Sequence, residues 1–367
     1  MLKRYRLKDF DYRLVIFVFV LSVLGILLIG SAARSKQTMQ IFGLFLGLVT
    51  MALLSVIDYN YILQFYWVIY IVNIVLLVFV RIIGYAAGGA TRWVTIFGIR
   101  FQPSELSKIL LILFFAKIFS KYEETLSTPR IIGFMLVLAL VPLYLIKSQP
   151  DLSTSIVCAV IFCFMIYIAG LKRKIVLATL GGMAVAAIGF VIVLFNYGNT
   201  LLTPYQYKRI MAWFDPVRYA DTAYQQQNSI MAIGSGQLIG KGLNNNVVSS
   251  VKNGNFILEP QTDFIFAVTG EELGFVGSVI IIALLLVIAL ECIKIGKKAR
   301  DMQGKLICCG MATLIGFQSF INICVATGLM PNTGLPLPFV SYGVTSLLTL
   351  FMGLGIVLNV GLQQRKY

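Results

Sequence analysis

Apolar runs about as long as a bilayer's hydrocarbon core is thick recur along this 367-residue chain. Crossing that core takes about 20 residues of helix. The runs lie at approximately 14–33, 39–57, 62–80, 105–119, 131–147, 152–169, 175–195, 263–290, 306–328 and 340–362. In lipid every backbone N–H and C=O must be satisfied within the protein, which leaves helices or closed barrels. Continuous runs of this length predict an all-α polytopic membrane protein, a single integral domain over 1–367 with about ten transmembrane helices. The fourth run is the weakest, because it is short and starts with Glu105 and Lys108. Without it the count falls to nine and the later topology inverts. Composition supports the class: 12% of residues are charged, against about 25% in a soluble domain.

Basic residues orient the spans. Lys3, Arg4, Arg6, Lys8 and Arg13 open the chain, Lys117, Lys121 and Arg130 follow span four, and Lys172, Arg173 and Lys174 follow span six. Lys294, Lys297, Lys298, Arg300 and Lys305 lie between spans eight and nine, and Arg365 and Lys366 close the sequence. All fall on one side when the N-terminus is inside, which predicts an N-in, C-in protein. Residues 196–262 then form a large extracellular loop between helices seven and eight. The net charge of +15 fits loops facing cytoplasm and anionic lipid, with no nucleic acid as partner. The absence of histidine excludes Ser-His-Asp and Cys-His centres. Six cysteines without a C-x-x-C spacing imply free thiols rather than a disulfide framework.

Three outer segments carry most of the polar chemistry. Residues 81–104 are amphipathic and broken by Gly84, Gly88, Gly89 and Gly98, which predicts a re-entrant or interfacial segment. It contains Arg92 and Trp93, the indole a natural interface anchor. It leads into Gln102-Pro103-Ser104-Glu105, where Pro103 opens a helix and Ser104 and Glu105 fall in its first turn. Glu105 and Lys108 are spaced i,i+3 and can pair. The second segment, 196–262, is too long for a plain connector. Its amphipathic stretch 205–214 suits a membrane surface. Gly234 to Gly242 could form backbone nests that hold an anion, with Lys241 as counter-charge, or a flexible connection. It is no nucleotide P-loop, because Gly242 follows Lys241 where Ser or Thr is required. The third, 330–343, holds Pro331, Pro336 and Pro338, and broken backbone beside a membrane needs protein or a cavity against it. There Ser341 and Tyr342 could offer hydroxyls to a ligand, or equally satisfy backbone groups that the prolines free.

The long loop gives way to apolar helix at Glu259-Pro260-Gln261-Thr262-Asp263-Phe264-Ile265-Phe266. Asp263 could cap that helix or present an acid or base at the membrane surface; the roles are compatible. Glu271 and Glu272 follow and could line polar contacts between helices. Asp151 can cap span six, and the topology puts it with Glu105 and Asp263 on the outer face. Outward carboxylates with Arg92, Lys108 and Lys241 suit a lipid-linked anionic substrate. A carboxylate can take the proton of a sugar hydroxyl that attacks an anomeric carbon, while cations or a divalent ion stabilise a diphosphate leaving group. Aspartate and glutamate are adequate ligands for magnesium or manganese, although no spacing fixes a metal site. The same features suit a lipid-linked precursor flippase, or a non-catalytic scaffold that activates a partner enzyme.

The motifs resemble those of the SEDS family, the bacterial shape, elongation, division and sporulation proteins. They are Arg92-Trp93, Gln102-Pro103-Ser104-Glu105 with Lys108, Asp151, Tyr224-Gln225, Ala232-Ile233-Gly234-Ser235-Gly236, Gly240-Lys241-Gly242, Thr262-Asp263-Phe264-Ile265-Phe266, Gly270-Glu271-Glu272-Leu273-Gly274 and Pro336-Leu337-Pro338-Phe339 through Tyr342-Gly343. The resemblance implies a ten-helix peptidoglycan glycosyltransferase in the bacterial cytoplasmic membrane, with its active site on the outer face. Such a protein polymerises lipid II onto the undecaprenyl-linked nascent glycan for elongation, division or sporulation. Asp263 would be the catalytic base, with Glu105, Lys108 and Asp151 supporting substrate or ion. The implied partners are a class B penicillin-binding protein and other membrane proteins of the elongation or division complex. Four features depart from the family pattern: Gln261 stands where histidine is usual, Leu258-Glu259 where a Pro-Glu pair is usual, and Gln237 and Val344 where glycine is usual.

Overall fold

The computed structural model describes residues 10–87, 90–96, 99–176, 204–244, 250, 254 and 256–364, with single positions at 181 and 189. Its helices are α1 (Tyr12–Ala32), α2 (Arg34–Val56), α3 (Tyr59–Gln64), α4 (Tyr66–Ile83), α5 (Pro103–Lys121), α6 (Pro129–Lys147), α7 (Leu152–Ile168), α8 (Pro204–Phe214), α9 (Ala220–Ser235), α10 (Ile265–Lys297), α11 (Met302–Ala326) and α12 (Val344–Leu362). Every expected span but one coincides with a helix. The exception, 175–195, lies largely outside the described residues, as do Gly88, Gly89, Gly98, the basic residues at 3–8, and Arg365 and Lys366. Among the described residues, α1, α2, α6, α10, α11 and α12 are each long and apolar enough to cross a membrane.

The position of α5 explains why its run reads as weak. It packs against α4, α7, α11 and α12, and its Glu105 and Lys108 are as buried as its Phe114 and Phe119. A helix enclosed by protein can keep polar residues that a lipid-facing helix cannot. By contrast α2 exposes Phe45 and Leu53, and α6 exposes Leu140 and Tyr144, as helices against lipid do.

The all-α expectation needs one correction. Residues 85–101 contain a three-stranded antiparallel sheet: β1 (Tyr85–Ala87), β2 (Ala90–Ile96) and β3 (Ile99–Phe101). β2 is rich in Thr, Val, Ile and Trp, which favour extended backbone. Trp93 pairs with Tyr85, and Val94 with Phe101. The strands are short and interrupted by glycine, so no sustained two-residue alternation stands out in the sequence.

The long loop is also ordered where it is described. α8 takes up the amphipathic stretch, α9 follows, and the exit of α9 docks on α10. That helix is broken at Gly274 (φ 65°, ψ −161°). Such a break frees amides and carbonyls that lipid cannot satisfy. Here the Lys241 and Gly242 amides donate to the Glu271 and Glu272 carbonyls at 2.9 and 3.0 Å. The Phe275 and Val276 amides donate to the Gln237 and Leu238 carbonyls at 2.9 and 3.1 Å. The loop thus stitches the helix across its break. The backbones approach so closely that a Cβ on Gly274 would lie 2.3 Å from the Gly240 nitrogen. This corrects the anion-nest expectation, because the amides of 241 and 242 are spent on α10.

Candidate active site

A cavity of about 420 Å³ opens among the start of α2, β2, the first turn of α5, residues 259–263 and the 334–346 segment. Trp93, Gln102, Glu105, Asp263 and Tyr342 line it together with Lys36, Glu259 and Gln261. Residues scattered across the chain therefore share one wall.

Asp263 lies just ahead of the spanning helix, yet it does not cap α10. Phe264 holds the cap position and no side chain bonds the first turn, so the capping expectation is corrected. The main-chain carbonyl of Asp263 accepts instead from Asn322 Nδ2 at 2.8 Å. A Cβ placed on Gly334 would lie 3.4 Å from both a carboxylate oxygen of Asp263 and a guanidinium nitrogen of Arg209. Acid and cation therefore flank the same small residue. Burial pushes the Asp263 carboxyl above its usual range; Arg209 and Arg92 oppose the shift, and Glu259 and Asp151 add to it. No salt bridge to Asp263 is found among the described residues.

The other acids are committed to partners. Glu105 pairs with Lys108 at 2.7 Å, and Lys108 also donates to Gln318 at 2.8 Å. Asp151 caps α7 through the Thr154 amide at 3.2 Å and accepts from Gln102 and Ser104, each at 3.2 Å. Arg92 stands 3.8 Å from Asp151 and donates to the carbonyls of Gln149 and Pro150. Successive residues of a strand face opposite ways. Arg92 therefore braces the α6–α7 turn while its neighbour Trp93 lines the cavity. The Ser341 hydroxyl donates to the Thr262 carbonyl and accepts from the Leu337 amide, both at 2.7 Å. It serves the backbone of the proline-rich segment. The Tyr342 amide donates to the Gln261 carbonyl at 2.8 Å, and Lys36 sits 5.7 Å over the Tyr342 ring. Lys241 and Glu271 pair with each other at 2.8 Å and do not line this cavity; Glu272 accepts from Ser31. Among the described residues no three Cys, Asp or Glu side chains converge as metal ligands.

Residues 10–366 match the model of the FtsW/RodA/SpoVE family of cell cycle proteins. The chain belongs to that family. It is 33% identical to the probable peptidoglycan glycosyltransferase FtsW of Geobacter sulfurreducens, over 96% of this chain and 95% of the relative. It is likewise 33% identical to the peptidoglycan glycosyltransferase MrdB of Escherichia coli, over 95% of this chain and 93% of the relative. Among solved structures, a chain from a peptidoglycan synthase complex that coordinates polymerization and crosslinking matches with a TM-score of 0.80 at 28% identity, covering 96% of this chain and 97% of that one.

In this FtsW/RodA/SpoVE member the site residues that sequence reasoning missed are polar side chains on apolar helices and one arginine of the amphipathic α8. Gln40 of α2 grips the Ser341 carbonyl at 3.3 Å and the Gly343 amide at 3.1 Å. Gln318 and Asn322 of α11 reach the proline-rich segment, and Arg209 of α8 reaches the Asn332 carbonyl. The available signal was an isolated amide inside an apolar run, which marks a functional or packing role by default. Among the departures from the family pattern, Gln261 and Val344 both line the cavity. Gln237 adopts φ 49°, a backbone conformation suited to the glycine it replaces.

Proposed function

We propose that this chain is a peptidoglycan glycosyltransferase that polymerises lipid II in the cavity around Asp263. The observation that carries the reading is the contrast among the acids: Asp263 faces the cavity outside every salt bridge of the described residues, while Glu105, Asp151 and Glu271 are paired. Asp263 takes the proton from the 4-hydroxyl of the acceptor N-acetylglucosamine. That oxygen bonds to the anomeric carbon of the donor as the bond from this carbon to the diphosphate oxygen breaks. Undecaprenyl diphosphate leaves, and the alpha linkage inverts to beta-1,4. A raised pKa strengthens Asp263 as a base once it is ionised. Arg209 and Lys36 are the cations nearest to hand for the diphosphate. A magnesium or manganese ion carried by that diphosphate needs only one or two protein carboxylates, and Glu259 at the rim is exposed to supply one. A charge relay for transport would draw on Glu271 and Glu272, but these are engaged by Lys241 and Ser31.

The reading places the cavity on the outer face, with ten crossings and both termini in the cytoplasm. A C-terminal fluorescent-protein fusion should then fluoresce, and an exported-only reporter active at that end would overturn the topology. Similarity to a synthase complex supports a class B penicillin-binding protein as the working partner. The deciding experiment is polymerisation of purified lipid II by the complex. Glycan strands from the native complex and a loss of at least about 100-fold with Asp263→Asn are expected. Equal strands from both would remove Asp263 from the mechanism, provided folding and partner binding match.

A further inference from the structure

Gln318 and Asn322 lie one turn apart on α11, a helix otherwise dominated by apolar and small residues, and both are almost fully buried, at 0% and 1% exposure. Burying an amide is costly unless its polar atoms find partners. Here the partners of Gln318 and of the Asn322 NH₂ group are the frame of the catalytic cavity, while the Asn322 oxygen has no partner among the described residues. Asn322 Nδ2 donates to the Asp263 carbonyl at 2.8 Å and to the Leu335 carbonyl at 2.7 Å. Gln318 Oε1 accepts from Lys108 Nζ at 2.8 Å, and its Nε2 donates to the Pro336 carbonyl at 2.8 Å.

The chemistry fixes which way each amide points. Asn322 meets two carbonyl oxygens, which only its NH₂ can satisfy. Gln318 meets an ammonium on one side and a carbonyl on the other, so it needs both its oxygen and its nitrogen. Consecutive residues of the proline-rich segment, Leu335 and Pro336, are thereby tied to the backbone of the acid and to the Lys108–Glu105 pair. Asp263 and Glu105 both line the cavity, whereas neither Gln318 nor Asn322 does.

We propose that Gln318 and Asn322 are positioning residues, a two-amide clamp that sets Asp263 relative to the Lys108–Glu105 pair. The inference rests on the glycosyltransferase reading. Misplacing a catalytic group by about 1 Å can cost about 100-fold in rate, and the clamp holds the acid's main chain against that drift.

The test uses the purified protein with its transpeptidase partner and lipid II. Asn322→Leu keeps approximate size and removes the donor. It should lower kcat by about 10- to 100-fold while KM changes by no more than about threefold. The acid limb of its pH–rate profile should move to lower pH as the enclosure of Asp263 loosens. Gln318→Glu keeps the acceptor for Lys108 but loses the donor to the Pro336 carbonyl, whereas Gln318→Met loses both, so the Glu variant should be impaired yet retain about ten times the activity of the Met variant. If Asn322→Leu does not fold, the Gln318 pair decides. Folded variants with native kcat and a native acid limb would overturn the clamp alone. Losses that track melting temperature with the limb unmoved would also overturn it, leaving a purely structural role. A native complex that makes no glycan would overturn the glycosyltransferase reading, and the clamp with it.

Discussion

At the Gly274 break, α10 carries Glu271 and Glu272, and loop 237–242 fills the gap in its hydrogen-bond ladder; Lys241 neutralises Glu271 and Ser31 donates to Glu272. At the N-terminal lip of the same helix, Asp263 has its main chain held by Asn322 but its carboxylate turned to a cavity. Both regions combine acids with irregular backbone at a membrane edge. The break spends every freed group internally, which makes it structure. The lip leaves Asp263 outside every salt bridge of the described residues and raises its pKa by burial, with Glu259 exposed at the rim beside it, an arrangement that functional sites retain despite its drain on stability.

The comparison can be broken at several points. The largest expected effect is at the break itself. Gly274→Ala puts a Cβ 2.3 Å from backbone at a positive φ, and should destabilise by about 3 kcal/mol or more. Its melting curve checks this, and a native midpoint would mean that the loop is not docked as described. Lys241→Met comes next. It removes the ammonium from Glu271, whose side chain is 3% exposed, but Lys241 itself is 27% exposed. The usual 3–5 kcal/mol for breaking a buried pair should therefore fall to about 2 kcal/mol. Adding Glu271→Gln should recover part of the loss, with turnover of the folded double variant within about threefold of native. Collapse of turnover at native stability would move this pair into the site.

A pH series sharpens the contrast at the lip. Asp263 must be ionised to act as a base, so the rate should fall as pH drops through its raised pKa, leaving an acid limb above the ordinary carboxylate value of about 4. Stability runs the other way. A group whose pKa rises on folding binds its proton more tightly in the native state, so its favourable contribution is present at low pH and lost as pH rises through the folded value. Asp263→Asn should abolish that dependence in a comparison of melting temperatures across pH. A native acid limb near pH 4 would contradict a base at Asp263 with a raised pKa. The smallest effect is expected at Gln237→Gly, which relieves the φ of 49° and should change stability by about 1 kcal/mol at most, in the favourable direction.

Much of the fold was legible because burial in lipid leaves a one-dimensional trace. Apolar runs located α1, α2, α6, α7, α10, α11 and α12, and Pro103 and Asp151 marked helix starts that the structure keeps. The i,i+3 spacing of Glu105 and Lys108 sufficed to predict their pairing. The sheet at 85–101 escaped because its strands are too short for a period to register. The stitched break escaped because the apolar run continues on both sides of Gly270-Glu271-Glu272-Leu273-Gly274 and reads as one helix.

The candidate site divides along the same line. The sequence alone determined the membrane class, the motifs that resemble a family, and the set of candidate acids. Hydropathy, spacing and motif identity are properties of neighbouring positions, so they survive without coordinates. Only the tertiary structure decided which acids are paired and which face the cavity. Lys241 reaches Glu271 and Asn322 reaches Asp263 across long stretches of chain, and ion pairing and hydrogen bonding depend on distance through space, which no local pattern in the chain records.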